Sequence, residues 1–145
     1  MVRTGISLYG YGNHPSVDAQ LKPVLRLRTV ISQIHTLEKG DSLGYNRAFV
    51  AKTRTKTATL PLGHADGIGR IYGNGKGYVI INGKQASILG NVCMDMIMVD
   101  VTDIDCQAGD TVIVIGPDAS AEDLANAAET ISYELITGLS QRIQR

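Results

Sequence analysis

Apolar runs in this chain are short and are cut by turn residues, and that punctuation limits the folds open to it. Residues 77–89 show it best: the run Tyr78-Val79-Ile80-Ile81 is followed by Asn82-Gly83 and then by KQASIL. Asn and Gly tolerate the positive φ that a type I′ turn requires, so the segment reads as a β-hairpin. Asn74-Gly75 marks another tight turn just before it, and Lys39-Gly40-Asp41 and Gly109-Asp110 break the chain in the same way. Sixteen glycines in 145 residues exceed the usual share of about 7%, so tight turns and short strands should be numerous.

Other stretches fit the same pattern. Residues 24–36 (VLRLRTVISQIHT) put Leu25, Leu27 and Ile31 on one face and Arg26 and Arg28 on the other, the signature of a half-buried strand. In residues 56–62 (KTATLPL) the apolar positions Ala58, Leu60 and Leu62 again lie two apart, and Pro61, with no N–H to give, assigns that end to an edge or bulge. Residues 96–101 and 111–115 are two further short apolar strands. Helix is expected only late. Ser120 can cap a helix with Asp123 at the reciprocal position, and Ala121, Leu124, Ala125 and Ala128 follow at helical spacing. Residues 131–139 repeat that spacing with Ile131, Leu135 and Leu139, and Gly138 is placed to end the helix. Many short strands with turns between them predict a mainly β chain. A closed, Greek-key-like β-barrel with one or two short helices near the C-terminus is preferred to a sandwich, because closure removes exposed edges.

Fourteen basic side chains balance fourteen acidic ones, which removes the electrostatic footprint of a nucleic-acid binder or a polybasic membrane clamp. No uncharged apolar run approaches the ~18 residues of a bilayer span, and a soluble, cytoplasmic chain is expected. Cys93 and Cys106 form no CxxC pair and His14, His35 and His64 are scattered, so no metal is expected and each thiol reads as free. The glycines of residues 63–77 match neither GxxxxGK[ST] nor GxGxxG, so turns explain them better than phosphate binding. Six tyrosines stand against one phenylalanine and no tryptophan. A phenol can serve as a base when nearby positive charge lowers its pKa, but for any single tyrosine packing with a satisfied hydroxyl is the better explanation.

Five short motifs, in order along essentially the whole chain, resemble the C-terminal part of fold-type III alanine racemases, pyridoxal-phosphate enzymes that interconvert L- and D-alanine. They are Arg3-Thr4-Gly5-Ile6 with Tyr9-Gly10, Gly44-Tyr45-Asn46-Arg47, Gly63-His64-Ala65-Asp66-Gly67, Val92-Cys93-Met94-Asp95 and Ile131-Ser132-Tyr133-Glu134. The resemblance implies that Tyr45 is one of two catalytic bases, carrying the α-proton on one face of the substrate while a lysine works the other. Arg3 matches the arginine facing the pyridine nitrogen of the cofactor. A guanidinium keeps its proton above pH 12, so it leaves that nitrogen unprotonated. Gly5 and Ile6 match backbone N–H donors to the cofactor phosphate, and Tyr133 a tyrosine whose hydroxyl binds the same phosphate. Met94 matches the residue whose main-chain N–H receives the substrate carboxylate, with Asp95 beside it, and His64 and Arg70 match residues along the substrate access path.

The resemblance further implies a homodimer with shared active sites, a small amino-acid substrate, and D-alanine supply for cell-wall peptidoglycan. Residues 1–12 are expected to be the detached last strand of an N-terminal (β/α)8 barrel, mobile or packed non-natively, 13–21 a linker and 22–145 the C-terminal β-barrel domain. The cofactor-bearing lysine of the family belongs to that N-terminal barrel, and none of the six lysines here sits in a resembling context. This polypeptide alone is therefore expected to be inactive. His64 stands where the family usually has tyrosine, and Asn91 where many members have arginine, so the preference between alanine and serine does not carry over. The alternative reading is a non-catalytic β-barrel binding or dimerisation module, with Tyr9, Tyr11 and Tyr133 as its aromatic contact surface.

Overall fold

The computed structural model describes residues 1–12 and 14–144. Asn13, where the expected linker begins, and Arg145, the last residue of the expected barrel domain, lie outside the described residues. Nine strands form among the described residues: β1 (Leu27–Val30), β2 (Gln33–Leu37), β3 (Ser42–Leu43), β4 (Phe49–Val50), β5 (Thr55–Leu60), β6 (Tyr78–Ile81), β7 (Lys84–Leu89), β8 (Ile97–Asp100) and β9 (Thr111–Ile115). Seven of them make one sheet in the order β1-β9-β6-β7-β8-β5-β2, every neighbour antiparallel. Strands β6, β7 and β8 run consecutively and β9 returns beside β6, which is the Greek-key order.

The segment expected as one strand over 24–36 breaks at Ile31-Ser32, and the break shapes the sheet. The N–H of Ile31 donates to the carbonyl of Asp110 at 3.0 Å, whereas that of Ser32 donates to the carbonyl of Thr59 at 2.9 Å. One short run thus pairs first with β9 and then with β5, so the two edge strands of the sheet are covalently continuous. The barrel expected from the sequence is realised as a curled half-barrel sheet whose two edge strands are joined by the chain itself. The alternating faces are as read: Leu27 and Ile31 are buried and Arg26 and Arg28 exposed. In the hairpin, Asn82 and Gly83 have φ of 49° and 75°, as a type I′ turn needs.

Inside the curl pack Leu60, Val79, Ile81, Ile97, Val99, Val112 and Ile115, each 0% exposed. Burying each such side chain contributes about 1.5–3 kcal/mol. A helix, α1, spans Pro15–Asp18; α2 (Ala121–Ala127) and α3 (Ser132–Gly138) lie near the C-terminus and pack on each other. Ser120 caps α2 by accepting the Asp123 N–H at 3.0 Å. The Asp123 carboxylate accepts the Ser120 hydroxyl at 2.6 Å rather than reaching back to the backbone, as a longer Glu would. In α3, Leu135 is buried, but Ile131 precedes the helix and is exposed, so it is not part of the apolar stripe.

The first twelve residues differ from the brief strand expected of them. Gly5–Tyr9 form a 3₁₀ turn, with no strand pairing among the described residues. Two of its neighbourhood's side chains are firmly held: Ile6 and Tyr11 are buried, and the Tyr11 hydroxyl accepts the N–H of Ala121 at the start of α2, at 3.1 Å. Tyr11 therefore belongs to the core and not to an aromatic contact surface.

Candidate functional site

Tyr45 sits on a small hairpin that the strand pattern of the sequence did not announce. Strands β3 and β4 pair over two residues each, and the intervening 3₁₀ turn Tyr45–Arg47 places Asn46 at φ 60° and Arg47 at φ 50°. Arg47 Nε donates to Ser42 Oγ at 3.0 Å, pinning the base of the turn. The Tyr45 side chain stands out to solvent, 55% exposed. Its carbonyl accepts from Asn91 Nδ2 at 3.1 Å, and Asn74 Nδ2 in turn donates to Asn91 Oδ1 at 3.2 Å. Asn91 thus ties the Tyr45 turn to the segment that carries Met94.

That segment is knitted to the next motif through the backbone. The N–H groups of His64 and Ala65 donate to the carbonyls of Cys93 and Met94, both at 2.9 Å, and the Cys93 N–H donates to the carbonyl of Met96 at 3.0 Å. The approach is close enough that a Cβ on Gly63 would meet the Cys93 and Met94 oxygens and the Met96 nitrogen, all at 2.6 Å, so only glycine fits there. The N–H of Met94 has no acceptor among the described residues and is open to a ligand. His64 is exposed beside it. Arg70, also exposed, heads a 3₁₀ turn over Arg70–Tyr72, and the Gly73 that follows is wedged against the Gly90 carbonyl.

Two further residues complete this rim. Asp66 is 6% exposed, and its carboxylate accepts the Gly63 N–H at 2.8 Å. Arg142 grips the same carboxylate with Nε at 2.6 Å and Nη2 at 3.1 Å, and extends Nη2 to Asp95 Oδ1 at 2.6 Å. The Arg142 hydrogen bond holds the Asp66 carboxyl below its usual range, against burial, which alone would raise it; the Gly63 N–H and the guanidinium charge add to the lowering. Reciprocally, Asp66 and then Asp95 raise the Arg142 pKa further above its already high value. Asp66 lies within the Gly63-His64-Ala65-Asp66-Gly67 motif, which by itself gives it no role. Arg142 is nine positions beyond Tyr133, and no spacing rule links it to carboxylates at 66 and 95.

Arg3, Gly5, Ile6 and Tyr133 are not drawn into this rim. Arg3 is exposed and Ile6 buried, while Tyr133 lies on α3, partly exposed, its carbonyl accepting the Thr137 hydroxyl at 2.6 Å. Their elements share one feature. Tyr9 at the end of the N-terminal turn, Ile136 of α3 and Leu139 just beyond it line a groove of about 840 Å³. A smaller cavity of about 240 Å³ lies between His64, Tyr72 and Glu134. The Tyr72 hydroxyl is buried without a partner, and burial, with Glu134 nearby, raises its pKa. Tyr45 and Met94 line neither. Cys93 and Cys106 are free, and no cluster of metal-ligating side chains occurs among the described residues. No helix among them is long and apolar enough to cross a membrane.

Fold and site together define a Greek-key β domain that displays, on one rim, an exposed phenol, an open backbone donor and an arginine shared by two carboxylates. Residues 24–145 match the family described as alanine racemase, C-terminal domain, and the chain belongs to that family. The alanine racemase of Halothermothrix orenii is 45% identical over 154 residues, which cover all of this chain. Among solved structures, the biosynthetic alanine racemase from Pseudomonas aeruginosa superposes with a TM-score of 0.89 at 31% identity over 97% of this chain. The alanine racemase from Bartonella henselae with covalently bound pyridoxal phosphate gives 0.88 at 37% identity, also over 97%. The chain spans about 40% of the length of each of these relatives.

Proposed function

We propose that this chain works as the C-terminal β domain of an alanine racemase, where it supplies the Tyr45 base and part of the cofactor and substrate sites. The observation that carries the reading is the rim. Hydrogen bonds through Asn91, Cys93 and Met94 fix the Tyr45 turn relative to an open main-chain N–H and leave the phenol exposed. Inverting an α-carbon needs a proton carrier on each of its faces, and a positioned phenol is suited to one of them. The Tyr45 hydroxyl oxygen takes or returns the α-proton, while the Met94 N–H binds the substrate carboxylate and Asp95, His64 and Arg70 shape the way in.

The cofactor of this reading is pyridoxal 5′-phosphate, which when bound withdraws electrons from the α-carbon and so acidifies its proton. The residues present fit it. Gly5 adopts φ 56° with nothing within 4 Å of where a Cβ would stand, and the N–H groups of Gly5 and Ile6 open the 3₁₀ turn without an acceptor inside it, as a phosphate-binding backbone requires. Arg3 is exposed and makes no ion pair among the described residues, so its guanidinium is available to the pyridine nitrogen.

In this reading residues 1–12 end an N-terminal (β/α)8 domain that contributes the lysine base, and 22–145 form the β domain. Arg3, Gly5, Ile6 and Tyr133 serve their own subunit's site, whereas Tyr45 and Met94 serve the other site of a homodimer. The product, D-alanine, enters peptidoglycan synthesis in the cytoplasm. Assay of the complete enzyme with L-alanine and L-serine tests the reading: pyridoxal-phosphate-dependent formation of D-alanine is expected, and no racemisation of either amino acid would refute it.

A further inference from the structure

We infer that Arg142 is a positioning residue for substrate binding: it anchors the Met94-Asp95 corner to the buried Asp66 and offsets the Asp95 charge beside the Met94 N–H. The inference rests on the racemase reading for the part played by that N–H. Its geometry stands by itself.

One end of the clamp is fixed. Asp66 is buried, its carboxylate accepts the Gly63 N–H at 2.8 Å, and its carbonyl accepts the Ser140 N–H at 3.1 Å. Arg142 meets it with two donors, the fork geometry that a guanidinium has and an ammonium lacks. The other end is loose without Arg142. The Asp95 side chain is 58% exposed, and Arg142 Nη2 at 2.6 Å is its partner. The corner is therefore held through its backbone by the bonds of His64, Ala65 and Cys93, and through its Asp95 side chain by the guanidinium.

Charge gives the contact a second consequence. Two carboxylates flank one guanidinium, so the cluster is already net negative, and it lies next in sequence to the donor that would receive an anionic substrate group. Take away the guanidinium and Asp95 faces that anion uncompensated. Repulsion between unit charges a few ångströms apart at a protein surface is enough to weaken binding about tenfold.

In the complete racemase, Arg142→Gln should raise KM for alanine about tenfold while kcat changes far less, because the proton carrier at Tyr45 is untouched. Arg142→Lys, which keeps the charge but not the fork, should recover part of the loss. Adding Asp95→Asn to Arg142→Gln should return most of it by removing the repelling charge, a rescue that a purely structural bolt does not permit. An unchanged KM in Arg142→Gln, or no recovery in the double variant, would overturn the charge-offsetting role. On the 145-residue chain itself, Arg142→Gln should speed hydrogen exchange at the His64 and Ala65 amides about tenfold and leave Ala58 and Val99 in the sheet unchanged. Equal protection at His64 and Ala65 in both proteins would overturn the anchoring role. Lack of racemisation by the unmutated complete enzyme would sink the racemase reading and the substrate half of this inference, while the exchange rates would still decide the anchoring half.

Discussion

The rim from Tyr45 to Arg142 and the first twelve residues both carry motif residues, yet they are held in opposite ways. In the rim the side chain that would do chemistry is exposed and everything beneath it is bonded: Asn91 to the Tyr45 carbonyl, His64 and Ala65 to Cys93 and Met94, Arg142 to both carboxylates. In the N-terminal turn the apolar members are anchored, Ile6 and Tyr11 in the core, while Arg3 and Gly5 are exposed and Arg3 makes no ion pair among the described residues. A group that must aim at a reacting atom needs such support, since small displacements cost rate. The Tyr45 turn has such support within this chain, whereas Arg3 and Gly5 have none of these bonds among the described residues.

The contrast can be broken at several points. The largest effect belongs to Tyr45→Phe, which in the complete enzyme should lower kcat about 10²- to 10⁴-fold, the usual share of a positioned acid–base group. In the 145-residue chain the melting temperature should be unaltered, because the phenol is exposed there; a large fall in stability would show that the ring is structural. Next comes Leu60→Ala at the end of β5, fully buried, which should cost about 2–5 kcal/mol in urea unfolding of the chain. Leu8→Ala, its counterpart on the exposed face of the N-terminal turn, belongs at the small end of the scale and should stay within about 0.5 kcal/mol. Equal losses at the two leucines would erase the distinction between the regions.

Acid sharpens the comparison, with an effect between those of the two leucines. The folded-state pKa of Asp66 lies below its unfolded value, so the ionised carboxylate stabilises the fold above the ordinary carboxylate pKa. That contribution fades as pH falls through the lowered folded value. Urea midpoints followed downward from neutral pH should therefore drop below about pH 4. Asp66→Asn should start lower at neutral pH and fall less steeply on acidification. A parallel acid limb in the two proteins would show that Asp66 is not a source of it.

Much of the fold was legible because local chemistry and tertiary need coincide in it. Asn82-Gly83 demands positive φ wherever it occurs, Ser120 caps α2 as its position suggests, and residues 111–115 are a strand end to end. Where distant partners decide, the sequence was silent. The break at Ile31-Ser32 follows from carbonyls of Asp110 and Thr59, far along the chain in both cases. Gly5–Tyr9, which reads as extended, turns because Ile6 and Tyr11 find the core and a helix start. Within the site, Tyr45 and Met94 were found through short motifs, but Arg142 declares itself only once folding brings residues 66, 95 and 142 together.

Subunit mixing of two crippled enzymes tests most directly the claim that one chain feeds two sites. Tyr45→Phe and Arg3→Ala racemases, each impaired alone, are dissociated, mixed and allowed to re-form dimers. If Tyr45 serves the partner's site and Arg3 its own, each hybrid has one site with both lesions and one with neither, and random mixing should restore roughly a quarter of wild-type turnover. Mixtures no faster than the separate variants would contradict that division.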